Sequence, residues 1–190
     1  MVTELPQTFS YAAARASGVS KGRLYALRDR GEIQSIGRGV YRRTDADLAD
    51  LDLLLVAQRA PMATVCLTSA LAQHGLVDDI PFGYDIALPR GTWRPRLHAP
   101  VTWHSFAAAT FEVGRGTITV DAETSIGLYD APRSIVDAFR LRGTQGPELA
   151  YEALRRWLRR RGSHPAALLQ TARAFPAALP ALRGAMDALL

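Results

Sequence analysis

Five cations, Lys21, Arg23, Arg28, Arg30 and Arg38, fall close together near the start of this 190-residue chain, with Tyr25 among them. Guanidinium groups pair with phosphate oxygens in a bidentate fork, so this residue type at this density suits a polyanion rather than a small neutral substrate. Placed on a helix at about 100° per residue, Leu24 and Leu27 share one face and Gly22, Tyr25, Ala26 and Asp29 the other. Lys21 and Arg28 border that second face on one side, and Arg23 and Arg30 on the other. Small residues at the centre let a backbone approach base edges, while cations at the rim reach phosphates.

The elements that must hold these residues are short. Ser10 is placed to cap a helix over Tyr11–Ala16, which Gly18 ends; Val19 turns inward; Ser20 caps a second helix over Lys21–Arg30, which Gly31 ends. A helix, a tight turn with glycine and a second helix have the spacing of the helix-turn-helix. Residues 32–36, the turn Gly37-Arg38-Gly39 and then Val40 and Tyr41 read as a hairpin directly after the second helix, which makes it a wing with Arg38 at its tip. The candidate DNA contacts are therefore Ser20, Lys21, Gly22, Arg23, Tyr25, Ala26 and Arg28 on the helix, Arg38 on the wing, and Arg42 and Arg43 where the wing ends.

Charge divides the chain. Residues 1–43 hold eight Lys or Arg against three acids, residues 44–132 five against eleven, and residues 133–190 ten against four. The net charge of +5 thus hides an acidic middle between two basic ends, a defined electrostatic footprint rather than a uniformly sticky surface. A length of 190 residues with 48% hydrophobic content allows a small module plus one domain with a core of its own. We expect residues 1–45 to form the DNA-binding domain and 46–190 the second domain. Cys66, the one cysteine, lies between Val65 and Leu67 and reads as a buried small hydrophobe in a reducing compartment. No apolar run approaches the ~18 residues of a membrane span, so a cytoplasmic protein without a membrane partner is expected.

Beyond the linker Thr44–Asp50, helices are expected over 51–58 and 68–74, the latter capped by Thr68. Strands are expected over 84–88, 101–106, 111–113, 117–120 and 126–129, with Gly114-Arg115-Gly116 as a hairpin turn. Helices follow over 133–140, from Pro147, over 165–174 and over 182–190. The fold class is α+β: a winged helix-turn-helix, then a mixed α/β domain with a small sheet and a helical C-terminal layer.

The chain carries no recognisable catalytic signature. His74, His98, His104 and His164 make no ligand-spaced set with one another or with Cys66, so no metal and no cofactor are expected. Phosphate-binding and nucleophile-elbow motifs are missing. Asp85, Asp121 and Glu123 invite a nuclease reading, but the Asp/Glu-x-Lys form needs a neighbouring lysine, and the only lysine is Lys21. We expect no enzyme.

Two further arginine groups form a candidate second surface. Arg90, Trp93, Arg94 and Arg96 follow a strand on one loop, suited either to phosphate and base contact or to ion pairs with the acidic middle. Arg155 and Arg159 face away from the apolar stripe of the helix after Pro147, where Glu152 can pair with Arg156. Asp137 is placed to hold Arg133 or Arg140 one helical turn away.

Taken in order, Leu24–Tyr41, Thr68–Leu76 with Ile80-Pro81 after it, Ala87-Leu88-Pro89-Arg90-Gly91 and Ser134–Phe139 resemble the AbiEi family of antitoxins. The resemblance implies an N-terminal winged helix that represses its own operon by binding inverted repeats in promoter DNA. It also implies a C-terminal domain that counteracts a co-encoded, nucleotidyltransferase-like toxin, directly or indirectly. A ligand-responsive winged-helix transcription factor without a toxin is the alternative.

Overall fold

The computed structural model describes residues 5–79 and 81–189; Ile80 of the Ile80-Pro81 pair and Leu190 at the end of the expected last helix lie outside the described residues. The architecture is α+β and falls into two compact units. The first takes in the chain to residue 63 with residues 93–100 and 118–126; the second takes in 64–92, 101–117 and 127–190.

In the first unit a short strand β1 (Thr8–Ser10) runs into helix α1 (Tyr11–Ala16), followed by α2 (Lys21–Asp29), β2 (Ile33–Gly37), β3 (Val40–Arg43) and α3 (Leu51–Arg59). The capping chemistry is as expected: the amide of Ala13 donates to Ser10 Oγ at 3.1 Å, and that of Arg23 to Ser20 Oγ at 3.2 Å. Each cap satisfies an amide that the first helical turn leaves open. β2 and β3 pair antiparallel around the expected turn, with a register shift between Ser35 and Gly37. The added strand β1 lies on the other side of β3, giving the order β1-β3-β2. A three-residue strand is too short to show an alternation of its own. It forms because β3 offers an open edge on which Phe9 pairs with Tyr41, their rings 6.0 Å apart. Leu5, Phe9, Ala14, Leu24, Leu27 and Ile33 make the small core, with Val19 and Tyr41 against it.

Two contacts make the wing a fixed body rather than a loose flap. A Cβ built on Gly37 would sit 2.5 Å from Leu55 Cδ1, so the wing backbone lies against the tip of this α3 side chain, which would have to shift for any larger residue. On β3, Arg42 is buried and donates to Asp121 Oδ2 at 2.7 Å and to Thr8 Oγ1, while Thr8 in turn donates to the same carboxylate. Burial alone would push the Asp121 carboxyl up. The hydrogen bonds from Arg42, the Glu123 amide and Thr124 outweigh that and hold it below the usual carboxylate range.

The chain continues with β4 (Thr64–Val65), α4 (Leu67–Gln73), β5 (Tyr84–Pro89), β6 (Val101–Phe106), α5 (Ala108–Phe111), β7 (Arg115–Thr119) and β8 (Ser125–Tyr129). The helices α6 (Ala131–Arg140), α7 (Arg142–Gln145), α8 (Pro147–Leu158), α9 (Pro165–Ala172) and α10 (Leu179–Leu189) follow. The sheet order is β6-β5-β4-β8-β7, parallel for β5/β6 and β4/β8 and antiparallel for β4/β5.

Local details differ from the sequence expectation. Residues 111–113 are not a strand: Ala108–Phe111 forms a short helix that buries Phe111. Arg115 and Gly116 belong to β7, and the chain reverses near residues 120–124 instead, where the Val120 amide donates to the Thr124 carbonyl. Helix α4 begins at Leu67, after Cys66 and without a side-chain cap, so Thr68 lies inside it.

Arg133 and Asp137 on α6 are both fully buried, and Asp137 holds both expected partners, Arg133 and Arg140, at 2.9 Å each. Arg133 also donates to the carbonyls of Thr110 and Val113, with its guanidinium carbon 4.1 Å from the Tyr129 ring centroid and 4.3 Å from that of Phe175. A buried cation is tolerated only when paired and bonded in this way. The helical core around α6, built from Leu71, Ile135, Phe139, Leu154, Leu168 and Leu182 among others, closes over the rest.

Two outcomes are expected. Asp121→Ala strands the Arg42 charge and should cost about 3–5 kcal/mol in urea unfolding at pH 7. Because the folded-state pKa of Asp121 is depressed, its stabilising effect is complete above the ordinary carboxylate value near 4 and is lost as pH falls through the lower folded value. The acid limb of the stability curve should therefore be shallower in the variant, and parallel limbs would contradict this. Burial pushes the Cys66 thiol far up, so it should react with a thiol reagent only on unfolding.

Candidate nucleic-acid interface

Helix α2 sorts its side chains as the angular reading requires. Leu24 and Leu27 are buried, Gly22, Arg23, Tyr25 and Arg28 are exposed, and Ala26 is half-buried on the outer side. Tyr25 stands between two cations: Lys21 Nζ is 5.6 Å and the Arg28 guanidinium carbon 5.0 Å from its ring centroid. These cation–π contacts pre-order the aromatic ring and both charges on one outward face.

The cations differ in how they are neutralised. Among the described residues Lys21, Arg23 and Arg38 make no ion pair, and all three are exposed. Arg28 pairs with its neighbour Asp29 at 2.9 Å and Arg30 with Glu32 at 2.5 Å. Such exposed pairs are worth about 0–1 kcal/mol, so a phosphate can displace them. Ser20 uses its hydroxyl oxygen to cap the helix, which leaves its hydroxyl hydrogen as its contribution to a ligand.

Arg42 and Arg43 require correction. The alternation of β3 turns Arg42 inward, where Thr8, Asp121 and the Asp47 carbonyl take its donors, and it presents no charge to a ligand. Arg43 is held by both carboxylate oxygens of Asp45, at 2.8 and 2.7 Å, and by the Leu5 carbonyl. Nothing in the local sequence marks the pairing of Arg42 with Asp121, which lies far along the chain, whereas the partner of Arg43 is two residues on.

The second candidate group divides. Trp93, Arg94 and Arg96 belong to the first unit and line a partly enclosed cleft of about 400 Å³ that also takes in Arg38 from the wing turn. Arg59, at the last turn of α3, completes its cationic lining, with His98 beside it, and neither stands out in the sequence. Arg59 carries one signal there, a lone cation closing an apolar helix. Arg90 is exposed and lies in the second unit. Arg155 and Arg159 line a separate shallow depression on α8, where Arg156 is tied to Glu152 and Asp78.

Among the described residues no group of three or more His, Cys, Asp or Glu could hold a metal ion, and no helix is long and apolar enough to cross a membrane.

A helix-turn-helix with a three-stranded wing sheet and an outward cationic helix defines a winged-helix module of the DNA-binding class. Residues 5–44 match the family model described as a transcriptional regulator, AbiEi antitoxin. The matched segment covers β1 through β3, and it supports a role as an antitoxin of the AbiEi type or a transcriptional regulator. The later motifs, from Thr68 onward, lie outside it. No significant match to the chain is found among curated proteins.

Gly22 gives a clean test of the outward face. A Cβ there would meet nothing within 4 Å, so the fold itself has no need of glycine. Gly22→Ala should leave thermal stability unchanged or raise it by up to about 1 kcal/mol. The added methyl should nonetheless weaken binding to promoter DNA at least several-fold by fluorescence anisotropy. Unchanged affinity would remove this face as the one that approaches the bases.

Proposed function

We propose that this protein is the DNA-binding antitoxin of a toxin–antitoxin pair and represses its own operon. In this reading residues 1–45 read inverted repeats in promoter DNA, and residues 46–190 counteract a co-encoded, nucleotidyltransferase-like toxin, directly or indirectly. Helix α2 enters the major groove with Gly22, Tyr25 and Ala26 toward base edges. Ser20, Lys21, Arg23 and Arg28 anchor it to phosphates, and Arg38 adds a contact from the wing.

The observation that carries this reading is the outward face of α2, with unpaired Lys21 and Arg23 beside the cation-flanked Tyr25, on a segment similar to AbiEi transcriptional regulators. The antitoxin half rests on that family similarity. The regulators it matches are not a class of enzyme, and the reading assigns this chain no catalytic residue.

The test uses point variants of the full chain, because removing residues 1–45 would also strip Asp121 of its buried partner. Arg23→Ala with Arg28→Ala should weaken binding to the protein's own promoter and lower the slope of log affinity against log salt by about two, one for each phosphate no longer neutralised. The same variant should still rescue growth when co-expressed with the neighbouring toxin gene. Unchanged affinity and slope would exclude α2 as the reader. Failure of the wild type to rescue growth would favour a transcription factor without a toxin partner.

A further inference from the structure

The cleft beside the wing gathers like charge that the recognition helix does not explain. Its charged lining is cationic throughout: Arg38, Arg59, Arg94 and Arg96, with His98 beside them and no carboxylate. Arg38, Arg59 and Arg96 are exposed and make no ion pair or hydrogen bond among the described residues, although residues 44–132 as a whole are rich in acids. Self-repulsion among such groups is relieved by a polyanion.

The shape argues in the same direction. A small-molecule site encloses most of its ligand in mainly apolar walls. Here the cleft is only partly enclosed, and Trp93 in its lining is 68% exposed. An exposed indole beside guanidinium groups offers a face for a sugar or base edge while the cations take the phosphates.

Position completes the argument. Arg38 belongs both to the wing turn and to the cleft, so a duplex that reaches the wing also meets the cleft. Gly37, pressed on Leu55 of α3, fixes the wing turn against the helix that carries Arg59.

We propose that the cleft formed by the wing turn, the end of α3 and residues 93–98 is a second DNA contact. It grips the phosphate backbone flanking the base pairs read by α2, with Arg59 and Arg96 on phosphates and Trp93 against the sugar or base edge. This inference rests on the reading of α2 as a DNA helix, and it adds a contact made by residues far outside the family-matched segment.

Full-length protein and promoter duplex from upstream of its gene provide the test. Arg59→Ala with Arg96→Ala should lower the salt slope by about two, so the drop in affinity between 50 and 200 mM salt becomes about tenfold smaller than in wild type. The ratio of promoter to scrambled-sequence affinity should stay the same, because these contacts carry no sequence information. The protected footprint should shorten on the wing side. DNA should also quench tryptophan emission in wild type, and Trp93→Phe should remove that quenching. Both variants replace exposed side chains, and unchanged melting confirms that they fold. Wild-type binding with unchanged slope and footprint in the double variant would overturn the second contact alone. Quenching of Trp93 by inorganic phosphate or a nucleotide, without any effect of the variants on DNA affinity, would make the cleft a small-anion site and overturn it too. No DNA binding by the wild type would instead overturn the reading of α2 and this inference with it.

Discussion

The buried pair of Arg42 and Asp121 is the interaction on which the three-stranded sheet and its wing turn depend. β3 is the central strand of the three-stranded sheet, and its alternation must send one side chain of the Arg42-Arg43 pair inward. An inward guanidinium is ruinous unless its charge and donors are met, and Thr8, Asp47 and Asp121 meet them together. The strand is thereby anchored on both sides, to β1 through Thr8 and to residues 118–126 through Asp121. The wing turn that presents Arg38 inherits that rigidity, and Gly37 against Leu55 adds to it.

A division of labour among the arginines follows. Arg42 and Arg133 are structural: one holds β3, and the other fastens α6 to the carbonyls of Thr110 and Val113, in and just after α5, through bonds and aromatic contacts. Arg28, Arg30 and Arg156 are paired at the surface, where water and ions compete for them. Arg23, Arg38, Arg59 and Arg96 remain as outward charge. A chain with one lysine and twenty-two arginines therefore uses a single residue type for three physical purposes. Burial and partnership distinguish them, and residue identity does not.

The same distinction explains what was legible in the sequence. The helix pair could be read because caps, glycine stops and the Leu24/Leu27 face are local signals, each within a few residues of the group it governs. The pairing of Asp137 with Arg133 and Arg140 was legible for the same reason, one helical turn being a short distance in sequence. Arg42 reads as a DNA contact in the sequence because its partner lies 79 residues away. β1 was missed because three residues carry no period, and α5 displaced an expected strand because burying Phe111 mattered more than the apolar run around it. The cleft was half seen: Trp93, Arg94 and Arg96 stood out as a loop motif, but only the fold brings Arg38 and Arg59 beside them.

The first unit gathers its residues from three separated stretches of chain, the last of which ends at residue 126. During synthesis the recognition helix emerges early, yet the carboxylate that neutralises Arg42 follows about 80 residues later. At about 5–20 residues per second that is a delay on the order of ten seconds. A ribosome-bound nascent chain therefore carries its basic helix before it owns the scaffold that aims it. The scaffold that holds the wing is therefore complete only once residues 118–126 have been made.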